Sequence, residues 1–160
     1  MGGTKQLRAA MLKTGQTAPD VSLTDDAGET FSLSERKGRW TLLVFYPGDD
    51  TPVCTRQLCD YRDGIEEFAD LDVDVIGISG DDPESHRRFK HKRDLPFRLL
   101  SDPDLAVAAR FGCRGALGMK RGVFLLDDAL VCRYAHVESV ALFRRRRDEL
   151  LEVIRSARGS

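Results

Sequence analysis

The chain has 160 residues, of which 41% are hydrophobic and 32% charged, with a net charge of −1. These proportions suit one soluble domain with a full core, and the near-zero charge offers no global pull toward nucleic acid or an anionic membrane. Four cysteines are too few for a disulfide framework in this length, so reactive or inert thiols in a reducing cytoplasm are expected.

Residues 1–14 hold scattered basic residues around Leu7, Ala9, Ala10, Met11 and Leu12. No apolar run there is long enough for a signal peptide or a membrane span. Gly2 invites N-myristoylation, but Gln6 stands where Ser or Thr is wanted. The segment reads as a loosely held extension, and 15–160 as a single domain. Val21-Ser22-Leu23 and Thr30-Phe31-Ser32-Leu33 alternate on either side of a Gly-bearing turn, which predicts a β-hairpin. Residues 34–38 read as a short turn or helical piece. Thr41-Leu42-Leu43-Val44-Phe45 reads as a buried strand.

Pro47-Gly48-Asp49-Asp50 then makes a turn. Thr51 suits an N-cap and Pro52 the first helical position, ahead of a stripe, Leu58, Tyr61, Ile65 and Phe68, at helical spacing. Val73-Asp74-Val75-Ile76-Gly77-Ile78-Ser79 reads as a second central strand. Asp82-Pro83 opens a very polar helix to about Arg93, read as a solvated face packing through Phe89 rather than a nucleic-acid patch. Arg98-Leu99-Leu100 is a short strand, and Asp102-Pro103 caps a third helix through Leu105, Val107 and Phe111. Two further strands, 123–126 and 131–135, join through Asp127-Asp128-Ala129 as a hairpin. The tail from about Glu138 carries Phe143, Leu150, Leu151, Val153 and Ile154 at helical offsets. Within it, the basic run Arg144 to Arg147 reads as a solvated helix face. Strands alternating with helices between hairpins indicate an α/β sheet sandwich.

The cap places Cys54 in the first turn of its helix. Unpaired N–H groups and the positive end of the helix dipole favour negative charge there, and the thiolate is the reactive form of a group whose ordinary pKa is roughly 8.5. Cys54 is thus a candidate nucleophile; the plainer reading is a small apolar residue in a helix–sheet joint. Cys59 makes the pair C-x4-C. In a continuous helix five residues rise about 7.5 Å and turn about 140° past a full turn. A disulfide tolerates roughly 7 Å between Cα atoms, so a Cys54–Cys59 bond requires the first turns to unwind. Otherwise Cys59 is a second buried thiol that never meets Cys54.

Pro47-x-x-x-Thr51-x-x-Cys54 after a Phe-Tyr strand end resembles the active-site signature of peroxiredoxins. With a second cysteine five positions on, it is similar to the bacterioferritin-comigratory-protein (PrxQ) branch, although Val53 stands where that branch often has glycine. The likeness runs from Gly15-Gln16-Thr17-Ala18-Pro19-Asp20 to the last helix. It implies an α/β, thioredoxin-like fold with an N-terminal β-hairpin extension. Arg121 precedes Gly122-Val123-Phe124-Leu125-Leu126-Asp127, which resembles the family's Arg-x-x-Phe-Leu-Ile-Asp strand. By that match Arg121 is the guanidinium that stabilises the Cys54 thiolate and the peroxide, Thr51 supplies a hydroxyl beside the sulfur, and Pro47 walls off the pocket. Arg56 is a weaker candidate with no matched role.

The implied activity is thiol-dependent reduction of hydrogen peroxide or alkyl hydroperoxides. Cys54 is the peroxidatic residue, Cys59 the resolving one, and thioredoxin or a similar dithiol the reductant. No metal, haem or flavin is required. The branch's tendency is monomeric, with a dimer the alternative. Cys132 reads as packing and Cys113, in a Gly-rich loop, as a fallback resolving cysteine. The rivals are a thioredoxin-type disulfide reductase, disfavoured by the C-x4-C spacing, and a redox sensor or holdase that uses the same pair without sustained turnover. A zinc module is weaker, since no two cysteines or histidines have ligand spacing.

Overall fold

In the computed structural model, which describes residues 11–140 and 144–159, the first hairpin forms as β1 (Ser22–Asp25) and β2 (Thr30–Ser32). Asp25 builds its turn: Oδ1 accepts the Ala27 and Glu29 N–H groups, and Gly28 takes the positive φ of 83°. A single 3-10 turn, Leu33–Arg36, leads into β3 (Trp40–Phe45). Helix α1 (Pro52–Asp63) follows, and Gly64 divides it from α2 (Ile65–Asp70). The stripe from Leu58 to Phe68 faces inward, with Ile65 only partly buried, but it runs over two helices rather than one. The Arg147 side chain lies where a Cβ at position 64 would be, so glycine alone admits that approach.

Next come β4 (Val73–Ser79), α3 (Pro83–Arg93) and β5 (Arg98–Ser101). Asp82 caps α3 by accepting the Ser85 N–H at 2.8 Å, with Pro83 in the first turn. The helix packs through Phe89 and also through His86, which the sequence had placed on the solvated face; both are buried. Helix α4 (Ala106–Arg110) is shorter than Asp102-Pro103 suggested. Leu105 sits at φ 55° and interrupts it, while the Asp102 carboxylate reaches past to accept the Val107 and Ala108 N–H groups. A small hairpin, β6 (Arg114–Gly115) with β7 (Gly118–Met119), had no sequence signal. Strands β8 (Gly122–Leu126) and β9 (Cys132–Val137) form the second expected hairpin, with Asp127 Oδ1 accepting the Ala129 and Val131 N–H groups. The last helix, α5 (Arg147–Arg158), starts well beyond Glu138, and Phe143 lies outside the described residues.

Among the described residues, the seven strands of the main sheet run in the order β2-β1-β5-β4-β3-β8-β9. The β3–β4 and β4–β5 pairs are parallel and the rest antiparallel. Strand alternation splits the interior into two cores. Leu43, Phe45, Ile78 and Phe124 pack with Leu33, Val107 and Phe111 on one face. Leu42, Val44, Leu99 and Leu125 pack with Leu58, Phe68, Phe89 and Ile154 on the other. Helices α1, α2, α3 and α5 therefore cover the face that holds Cys54.

Leu12 is buried in the first core, and the Gly15 N–H donates to the Cys132 carbonyl at 2.7 Å. The extension read as loose over 1–14 is thus docked at its inner end, while residues 1–10 lie outside the described residues. Among the described residues, no helix is long and apolar enough to cross a membrane.

Candidate active site

β3 ends at the turn from which α1 departs. Thr51 has the extended backbone of an N-cap (φ −85°, ψ 153°), Pro52 lies in the first turn, and Cys54 follows within it. The β3–β8 register sets Gly122 opposite Phe45, so Arg121 falls beside that turn although it lies 67 residues from Cys54. Arg121 Nη1 donates to Cys54 Sγ at 3.1 Å and to Gln57 Oε1 at 2.8 Å. Gln57 Nε2 donates to the Tyr61 hydroxyl at 3.0 Å, which donates to the Arg145 carbonyl at 2.5 Å. Cys54, Gln57 and Tyr61 are fully buried, and Arg121 is 3% exposed. The guanidinium and the helix N-terminus both favour negative charge at the sulfur. Burial pushes the Tyr61 phenol far above its ordinary range, so it acts as a neutral donor.

Sequence reasoning missed Gln57 and the relay behind it. The available signal was spacing: Gln57 is three residues beyond Cys54 and four before Tyr61, which puts one amide on the same inward face.

The remaining expected residues are placed differently. The Thr51 hydroxyl makes no capping bond; it donates to the Gly48 carbonyl at 3.2 Å, and Thr51 is exposed. Pro47 and Arg56 are exposed too. The sulfur is enclosed, since Cys54 is 0% exposed, and a peroxide reaches it only when its surroundings shift. Asp50, one residue before the cap, holds the left-handed φ of 58° that non-glycine residues seldom adopt, and its carboxylate pairs with Lys92 at 2.8 Å and Arg93 at 3.4 Å. Cys59 is partly exposed and lies in the same unbroken helix as Cys54; both are free thiols.

Residues 14–135 match the AhpC/TSA family. Over 124 residues the chain is 44% identical to the peroxiredoxin Bcp of Bacillus subtilis, covering 72% of this chain and 79% of that one. The chain belongs to the AhpC/TSA family of peroxiredoxins. Peroxiredoxins are thiol-dependent peroxidases, and the likeness to Bcp sets this one on the bacterioferritin-comigratory-protein branch. Among solved structures, peroxidoxin BcpB of Mycobacterium tuberculosis is 33% identical with a TM-score of 0.82, over 91% of this chain and 97% of that one. The bacterioferritin comigratory protein of Xanthomonas campestris, studied for alkyl peroxide reduction, is 26% identical with a TM-score of 0.81, over 92% and 98%. The thioredoxin-like fold with its N-terminal hairpin is therefore shared with these proteins.

Two further cysteines of this peroxiredoxin lie in the core on the opposite face of the sheet from Cys54. Cys113 packs beneath β8, where a Cβ on Gly122 would come within 2.6 Å of its sulfur. Burial pushes its thiol up to about 12, so it is not ionised at neutral pH, and it packs in the opposite core from Cys54. Both count against the fallback resolving role suggested by its Gly-rich loop. Cys113→Ala is expected to leave peroxide turnover unchanged in a coupled assay, while denaturant melts show a loss of about 1–2 kcal/mol from the small cavity. Cys132 is buried in β9, with Sγ donating to the Tyr134 carbonyl at 3.3 Å, and serves packing as read.

The basic run is not a solvated helix face. Arg144, Arg145 and Arg146 precede α5, and Arg144, Arg145 and Arg147 strap it to α1. The Arg144 guanidinium and the Arg147 N–H both reach the Asp60 carboxylate, at 3.2 and 2.8 Å, one residue beyond Cys59. Tyr61 holds the Arg145 carbonyl alongside.

Proposed function

We propose that Cys54 is the peroxidatic cysteine of this thiol peroxidase, Cys59 its intramolecular resolving partner, and thioredoxin or a similar dithiol its reductant. The observation that carries this reading is the 3.1 Å contact of a buried guanidinium with a sulfur in the first turn of a helix. The Cys54 thiolate attacks one oxygen of hydrogen peroxide or an alkyl hydroperoxide. An S–O bond forms, the O–O bond breaks, and the departing oxygen takes a proton and leaves as water or alcohol. Sulfur loses two electrons and becomes a sulfenic acid. Arg121, already a donor to the sulfur, stands where negative charge develops on the oxygens. Thr51 contributes once its hydroxyl turns from the Gly48 carbonyl toward the entering peroxide, and Pro47 borders the entry. Both belong to the turn preceding α1.

Resolution requires more movement. Helix α1 runs unbroken through both cysteines, so their Cα atoms are separated by a rise of about 7.5 Å, beyond the roughly 7 Å limit of a disulfide. Once the first turns unwind, Cys59 attacks the sulfenic sulfur, hydroxide departs and gains a proton, and the disulfide closes. A dithiol then restores both thiols through a mixed disulfide. No second copy of the chain is needed, so a monomer is the working unit, and a reducing compartment such as the cytoplasm suits its four thiols.

Mass-spectrometric mapping after one equivalent of peroxide is expected to find a Cys54–Cys59 disulfide. Cys59→Ser is expected to complete one turnover and then stall, with Cys54 left as sulfenic or sulfinic acid. Sustained thioredoxin-coupled turnover by that variant would remove Cys59 from the role. Stoichiometric oxidation of the native protein without coupled turnover would favour the redox-sensor reading.

A further inference from the structure

A second buried polar cluster lies against the turn that precedes α1, and the chemistry above does not use it. Asp49 is its hub. Oδ1 accepts the Tyr46 hydroxyl at 2.6 Å, and Oδ2 lies 2.8 Å from both the Ser85 hydroxyl and His86 Nδ1. The Asp49 N–H donates to Asp81 Oδ2 at 2.7 Å, which also takes the Ser79 hydroxyl at 2.7 Å. His86 Nε2 is 2.9 Å from the Leu100 carbonyl. The His86 side chain is fully buried and that of Asp49 is 4% exposed.

Counting hydrogens narrows the pair to two charge states. A carbonyl oxygen only accepts, so Nε2 carries a hydrogen. A second hydrogen lies between Nδ1 and Oδ2, because two facing lone pairs would not settle at 2.8 Å. That hydrogen belongs either to an imidazolium or to a protonated carboxyl, and the hydroxyls that Tyr46 and Ser85 both offer to Asp49 favour the ionised carboxylate, which then receives three donors. Burial, with the negative Asp49 beside it, pushes the Tyr46 phenol well above its ordinary range, so it donates and does not ionise. The other charged groups facing the pair are engaged elsewhere. Asp81 takes the Asp49 N–H and Ser79, Lys90 on α3 pairs with Asp26, and of the groups lining the cavity beside Asp49 and Ser85, Arg88 pairs with Glu84 and Lys92 with Asp50.

The geometry points to His86 held as an imidazolium against an ionised Asp49, and to this buried pair as the clamp that positions the turn from which Cys54 is presented. The clamp acts at a strained place. Asp50, next in the chain, sits at φ 58° and Thr51 starts the helix immediately after it. Such a conformation persists only where its surroundings over-determine it. Asp49 supplies that constraint by tying together Tyr46 just past β3, Asp81 in the loop after β4, and Ser85 and His86 on α3. Neither residue touches the sulfur; both are positioning residues, and their role rests on Cys54 as the reacting thiol.

The test uses the intact protein, with Cys54→Ser beside it. Nitrogen-15 shifts of the native protein at about pH 7.5, where an exposed imidazole is mostly neutral, are expected to show both His86 ring nitrogens protonated. Peroxide rate constants of His86→Leu and Asp49→Asn, each confirmed folded by circular dichroism, are expected to fall about 100-fold through misplacement of the helix start. His86→Gln, whose amide still donates to Asp49, recovers part of the rate. A bare Nδ1, accepting from a protonated Asp49, overturns the ion pair, and a native rate in folded His86→Leu and Asp49→Asn overturns the clamp. Peroxide consumption by Cys54→Ser would instead overturn the reading of Cys54, and the nitrogen shifts are read independently of it.

Discussion

Cys54→Ser is expected to reduce peroxide consumption to the background of buffer alone, a loss of at least about 10⁴-fold, as removal of a covalent nucleophile does elsewhere. The serine hydroxyl is not ionised near neutral pH and cannot become a sulfenic acid, so it fails at the first bond. Its structural cost is small, because oxygen replaces sulfur in the same buried position and Arg121 can still donate to it. Thermal melting close to that of the native chain, with activity gone, is therefore the expected pair of results. Rescue by another thiol is not expected. Cys113 lies in the opposite core with its thiol pushed up to about 12, and Cys59 lies seven residues past the start of α1, beyond the first turn where the helix terminus acts. Residual turnover above about one part in 10³ would mean that the nucleophile is elsewhere.

The strand–turn–helix that presents Cys54 was legible in the sequence because each of its signals is local. These are an apolar run of five, a Pro-Gly-Asp-Asp turn, and a Thr-Pro helix start. The Asp25 and Asp127 hairpins were legible for the same reason, since each aspartate bonds N–H groups two and four residues on. Arg121 was reached through family likeness, not through periodicity; what places it is the β3–β8 register, a long-range fact. The direction of the Thr51 hydroxyl was not legible, because a carbonyl three residues back decides it. Nor was the Asp49–His86 pair, whose partners lie 37 residues apart within a run of charges that masks the inward spacing of His86 and Phe89. The Arg144–Arg147 strap hid behind a plausible helical pattern, and its partner Asp60 is 84 to 87 residues away. What escaped the sequence was thus the set of polar contacts made across elements, and these surround the reacting sulfur.

Arg121→Met is the second decisive substitution, expected to slow oxidation of Cys54 by hydrogen peroxide about 10²- to 10³-fold, the loss typical of one preorganised donor. A single nitrogen, Nη1, serves both Sγ and Gln57 Oε1, so the substitution removes the donor to the sulfur and leaves the Gln57 oxygen without that partner. Arg121→Lys is expected to recover little, since a compact ammonium does not reproduce the guanidinium's reach or its planar set of donors. Stability should behave differently from rate. Burying a guanidinium at 3% exposure costs desolvation, and an apolar side chain of similar length often costs nothing by comparison. A variant that melts at or above the native temperature yet reacts slowly with peroxide separates catalysis from folding. Single-turnover loss of peroxide against the reduced protein measures the rate directly, before Cys59 and the reductant enter. A native rate in Arg121→Met would show that the guanidinium holds Gln57 and the helix without stabilising the reacting oxygens, and the charge at the sulfur would then have to come from the helix terminus alone.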